Sequence, residues 1–109
     1  MADDVETPEI TDALKKSFKA RMHITTSHED DYLTELLKQS AVAVMNITND
    51  KDLSDQHTIE LVFERARYAY NDQLEFFDAN FGSMLLERSI ENLPDPPSND
   101  NEVVDDGKL

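Results

Sequence analysis

The stretch from His57 to Phe81 constrains the fold more than any other part of this chain. Ile59, Val62, Phe63, Ala66, Tyr70, Leu74 and Phe77 recur at steps of three and four, so they fall on one stripe of an amphipathic helix. A run of about 24 residues, each rising about 1.5 Å, spans roughly 36 Å. That is long for a chain of 109 residues, and it predicts a single third helix against which the others pack. Glu60, Glu64, Arg67, Asn71 and Glu75 form a charged face suited to solvent. Between that face and the stripe lie Leu61, Tyr68 and Phe76, flanked by Arg65 and Asp72. This second apolar strip has two readings. Either it lies under another helix of the same chain, or it is a subunit interface with aromatic anchors and an Arg65/Asp72 pair at its rim.

The charge balance narrows the partners. There are 24 Asp and Glu against 10 Lys and Arg, a net charge of −14. Gripping nucleic acid needs basic side chains that displace counterions, so this chain is not expected to hold DNA, although an acidic protein can sit beside it as a passive wall or a decoy. Without cysteine there are no disulfides, thiolate metal sites or Cys nucleophiles. The opening MADDVETPEI lacks the basic and apolar regions of a secretory signal, and no apolar run approaches the ~20 residues of a membrane span. Cytosolic synthesis and no membrane contact are the expectations. At 39% hydrophobic content, one domain is the default.

The remaining helices follow in order. Residues 1–7 read as a flexible acidic lead. Thr7 and Pro8 suit an N-cap and first helical position, and Ile10, Leu14, Phe18 and Met22 make the stripe of a first helix over 8–22. Lys15, Lys16, Lys19 and Arg21 on it are either a solvated cationic face near the helix C-terminus or a docking patch for an acidic neighbour. Ser27 with Asp30, or Thr26 with Glu29, resembles a capping box opening a second helix over 28–46. Its stripe is Leu33, Leu36, Leu37, Ala41, Val44 and Met45. In the polar connector 48–56, Asp50, Asp52 and Ser54 imitate a calcium loop. However, Asp55 stands where that loop needs Gly and Leu61 where it needs Glu, so the connector is read as supplying an N-cap from Ser54 or Asp55. His23, His28 and His57 lack metal-ligand spacing, and two glycines, Gly82 and Gly107, make no phosphate loop. No catalytic residue, cofactor or metal site is expected. A short fourth helix over 83–92 presents Leu85, Leu86 and Ile90, with Leu93 extending its edge. The acidic, Pro-rich residues 94–109 are either a solubilising extension or an arm that orders on a partner.

The segment ELVFERARYAYNDQLEFFDANF resembles part of the head–tail connector proteins of tailed phages and prophages of Gram-positive bacteria. HITTSHEDDYLTELLKQSAVAVMNIT resembles the second helix of that family, and the closing SIENL also fits, so the resemblance covers residues 8–93. It implies a structural adaptor, not an enzyme. Such a protein forms a homo-oligomeric ring beneath the portal protein, extends the DNA exit channel and receives a downstream head-completion or tail protein in the virion neck. Carried over by position, the motif residues Arg65, Arg67, Tyr68, Tyr70, Asn71 and Asp72 serve scaffold and interface. The expected interface set is Leu61, Arg65, Arg67, Tyr68, Asp72 and Phe76. The C-terminal region, with Leu85, Ile90 and Leu93, is expected to dock on the portal.

The expected architecture is therefore all-α: three main helices plus a short C-terminal one, with flexible acidic ends. The rival from another class is an acidic DNA-mimic or regulatory binding protein, which would display carboxylates in paired rows.

Overall fold

The computed structural model describes residues 8–94. The expected flexible lead over 1–7, including the Thr7 cap, and the tail beyond Pro94 lie outside those residues. Four α-helices account for most of the described chain: α1 (Asp12–Met22), α2 (Asp30–Thr48), α3 (Gln56–Tyr70) and α4 (Phe77–Glu91). A single 3₁₀ turn, Leu74–Phe76, precedes α4. The all-α class and the four-helix order agree with the sequence pattern. The division of residues among the helices does not.

The long third helix is in fact two. After Tyr70, Asp72 adopts a left-handed conformation with φ of 59°. The Gln73 N–H bonds back to the Tyr68 carbonyl at 2.7 Å, and the Asp72 N–H to that of Ala69 at 3.1 Å. This pair of bonds satisfies carbonyls left orphaned at a helix end and turns the chain away. Asp and Asn tolerate left-handed backbone better than other residues that carry a Cβ, and Asn71-Asp72 supplies them here. Tyr68 then meets Phe77 and Phe81 across the turn, while Thr58 meets Arg88 near the far end, so α3 and α4 run back along each other as a hairpin. The fourth helix is therefore as long as α3, at 15 residues each, instead of a short appendage starting at residue 83.

The longest helix is α2, with 19 residues, and it takes the central place expected of 57–81. It buries Leu33, Leu36, Leu37, Ala41 and Val44 against Leu61, Val62, Phe63 and Ala66 of α3 and Phe77 and Leu85 of α4. α1 is pinned by Phe18, fully buried with its ring 5.6 Å from that of Phe63. It starts at Asp12, four residues later than expected, because Thr11 accepts the Leu14 N–H at 3.1 Å as N-cap. Around that anchor, Lys19 reaches Asp30 at 2.6 Å and Arg21 reaches Glu60 and Glu64.

The acids at the start of α2 do not form the expected capping box. Glu29 is the N-cap and makes no side-chain cap bond; it accepts the Tyr70 hydroxyl at 2.7 Å, tying the end of α3 to the start of α2. That bond raises the Tyr70 pKa, because ionising the phenol would set a second negative charge beside Glu29. At the start of α3, Asp55 is the N-cap, accepting the His57 and Thr58 N–H groups.

Candidate functional site

Two features of the α3–α4 hairpin concentrate chemistry. The first is a polar knot at one end of the core. Asp50 accepts hydrogen bonds from Thr48 Oγ1 at 2.7 Å, Thr58 Oγ1 at 2.6 Å and Arg88 Nη2 at 2.7 Å. Arg88 Nη2 also faces Asp55 at 3.3 Å, its Nε donates to Thr58, and its Nη1 donates to Glu91. Asn92 closes the group by donating to the Thr48 carbonyl at 2.7 Å. The side chain of Asp50 is only 7% exposed. Burial alone would push its carboxyl pKa up, but the donors from Arg88, Thr58 and Thr48 prevail and hold it at about 2. Arg88 is correspondingly held charged, above its usual value, by the Asp50 hydrogen bond. The knot joins the end of α2, the start of α3 and the end of α4. Sequence reasoning missed it because it read Asp50 against a calcium-loop pattern and gave Arg88 no partner. Asp52, the second acid of that pattern, turns to the Ser54 N–H and hydroxyl.

The second feature is the surface of α4. Its inner face carries Phe77, Phe81 and Leu85, and its outer face would ordinarily be polar. Instead Phe76, Ala79, Ser83, Leu86, Ile90 and Leu93 follow one another at steps of three, four, three, four and three, the spacing of a helix-packing seam. Of these, Phe76 is 53% exposed, Leu86 60%, Ile90 56% and Leu93 60%. The surplus apolar surface expected on the third helix is thus present, but on another element.

The expected interface residues separate accordingly. Leu61 is buried, 4% exposed, inside its own chain beside Phe81 and Met84 of α4, so for this residue the first of the two readings holds, a place under another helix of the same chain. Tyr68 is half-buried against Phe77 and Phe81, and its hydroxyl accepts from Asn80 at 2.8 Å. Arg65 turns inward to donate to the buried Ser40 hydroxyl at 3.2 Å, so the expected Arg65/Asp72 rim pair does not form; Asp72 closes α3 instead. Desolvation lowers the Arg65 pKa, with Asp78 opposing it. Arg67 lies over the Tyr68 ring and binds Glu64 at 2.7 Å. Phe76 alone of the strip projects well into solvent. Of the expected docking residues, Leu85 is buried at 3% exposure on the core face of α4, while Ile90 and Leu93 lie on the open seam. The missed signal is the 3–4 spacing from Phe76 to Leu93, legible only once α4 begins at Phe77.

A groove of about 500 Å³ runs between α3 and α4, floored by Leu61, Phe81 and Met84 and edged by Glu60, Glu64, Glu87 and Glu91. No helix among the described residues is long and apolar enough to cross a membrane, and none of their acids and histidines gather into a cluster that could hold a metal.

Fold and surface together define a small all-α protein whose C-terminal hairpin carries an exposed apolar seam and a glutamate-edged groove. Compared with family models, curated proteins and solved structures, the chain gives no match.

Proposed function

We propose that this chain is a structural head–tail connector: a subunit that assembles as a ring beneath a portal, extends the DNA exit channel and joins the capsid to tail components. The observation that carries the reading is the open apolar seam on α4, with Phe76, Leu86, Ile90 and Leu93 more than half exposed at helix-packing spacing. The resemblance over residues 8–93 supports it, as does the net charge of −14, which lets a duplex pass through a ring without adhering.

Magnitudes bear on when the ring forms. A fully buried Leu, Ile or Phe side chain gains roughly 1.5–3 kcal/mol, so covering four half-exposed ones yields on the order of 4–6 kcal/mol. Association costs at least about 4 kcal/mol in lost motion, with ordering of side chains in addition. The seam alone therefore leaves the dilute protein monomeric and becomes effective when a portal gathers copies side by side. In this reading Ile90 and Leu93 divide their surface between neighbouring subunits and the portal.

Light scattering of the purified chain with and without the cognate portal tests the proposal. A monomer alone and a portal-bound ring are expected, and replacing Leu86 and Ile90 by Glu should abolish the ring while leaving the helical CD spectrum unchanged. A tight closed dimer in isolation, or ring formation undisturbed by the two substitutions, would refute it. The DNA-mimic alternative has weaker support. Asp30, Asp50, Glu60 and Glu64 are each engaged by a lysine or arginine of the same chain, not displayed as open rows of charge.

A further inference from the structure

We infer that the groove between α3 and α4 is a docking site for a cationic amphipathic helix of a different protein, lysine- or arginine-rich with an apolar face. The inference is independent of the connector reading. It uses another side of α4 from the seam and holds whether or not rings form.

Three observations converge on this occupant. The groove's volume of about 500 Å³ lies within the range of clefts that accept ligands, roughly 300–1,000 Å³. Its floor is apolar but not closed: Leu61 is buried beneath it, whereas Met84 is half exposed, a flexible thioether free to adapt to an incoming side chain. Four glutamates edge it, Glu60 and Glu64 from α3 and Glu87 and Glu91 from α4, and His57 and Arg88 also line it, Arg88 with its charge already taken up by Asp50 and Glu91. Arg21 and Arg67 offset part of the α3 edge. On the α4 edge Glu87 is exposed and makes no ion pair among the described residues, and Glu91, paired with Arg88 at 3.1 Å, keeps a side chain 62% exposed. An apolar floor between two acidic rims selects a helix that lays down an apolar stripe flanked by cations.

A second copy of this chain fits poorly. Its cationic helix α1 already has Lys15 and Lys19 on Asp30 and Arg21 on Glu60 and Glu64, so docking there would break its own ties. Nucleic acid and other polyanions are repelled by the rims. A small polyamine would meet the charges but leave the floor in water.

The test is fluorescence anisotropy of a labelled Lys/Leu amphipathic helical peptide with the full chain, beside three controls: the same peptide with Glu for Lys, one with Ser for Leu, and spermine as competitor. Only the Lys/Leu peptide is expected to bind, and more weakly as salt rises. Met84→Ala and Glu87→Lys should each weaken it about five- to tenfold, the effect of losing a contact of about 1 kcal/mol. Both side chains are exposed, so thermal melts should match the parent and exclude misfolding as the cause. Equal binding of the Ser-for-Leu peptide, full displacement by spermine, or unchanged affinity in both variants would overturn the inference. So would NMR shifts falling on Leu86, Ile90 and Leu93 instead of Leu61, Phe81 and Met84.

Discussion

Replacing Asp50 by Asn should remove a stabilisation whose size and pH dependence follow from the knot at Arg88. The Asp50 carboxyl is held down at about 2 in the folded chain by its donors, against 3.8 for the free group. At about 1.4 kcal/mol per unit, the folded state gains about 2 kcal/mol from keeping that carboxylate charged. Because the folded pKa is the lower one, this contribution is fully present above pH 4 and lost as pH falls from about 4 through 2. Urea unfolding of parent and Asp50→Asn, followed by CD across this range, should therefore show a gap of about 2 kcal/mol at neutral pH that shrinks toward pH 2. Using the difference cancels the other carboxylates with lowered pKa, Asp30 and Glu60, which titrate alike in both proteins. Arg88→Met should cost more, about 3 kcal/mol, since it strands a carboxylate that is 7% exposed. Adding Asp50→Asn to it should recover part of the loss. A gap independent of pH, or an Arg88→Met variant as stable as the parent, would refute the reasoning.

Three further outcomes follow from the packing. Phe18→Ala should cost about 3–5 kcal/mol, because a fully buried ring is removed from the sole aromatic anchor of α1 on α3, and urea denaturation would measure it. At Asp72, φ of 59° favours glycine: Asp72→Gly should hold or raise the melting temperature, and Asp72→Val should lower stability by about 1 kcal/mol. In an ultraviolet pH titration Tyr70 should ionise later than a free phenol, so the parent-minus-Tyr70→Phe difference curve should rise only at high pH.

The class of the fold was legible because apolar spacing reports helix whatever the helix packs against. Leu33, Leu36, Leu37, Ala41 and Val44 were read as one stripe and are buried together. The break at Asn71-Asp72 was not legible from that spacing. Leu74 and Phe77 continue the α3 rhythm across the turn, so periodicity showed a continuous rod while a local left-handed bond pattern ended it. The misplacement of Leu61 follows from this error. With no return of α4 over α3, Leu61 was placed in the interface set and Leu85 in the docking set, whereas both are buried in the core of their own chain. The Asp50–Arg88 pair, 38 residues apart, was illegible for another reason: no local pattern marks a long-range ion pair.

Folding 57–91 as a hairpin changes what one short segment can present. A single rod would have offered one spare strip beside its core stripe, diluted by Arg65 and Asp72. In the folded chain Leu61 and Leu85 are buried, and Arg65 turns to Ser40 of α2. The hairpin leaves α4 with two unlike surfaces on different sides: an uncharged seam through Leu86 and Ile90, and a glutamate-edged groove through Met84 and Glu87. Residues 86 and 87 are neighbours in sequence but about 100° apart around the helix, so one substitution can disable either surface and spare the other. Their separate loss in Leu86→Glu and Glu87→Lys would show two contacts of different chemistry on one helix. Loss of both in either variant would mean a single continuous interface wraps α4.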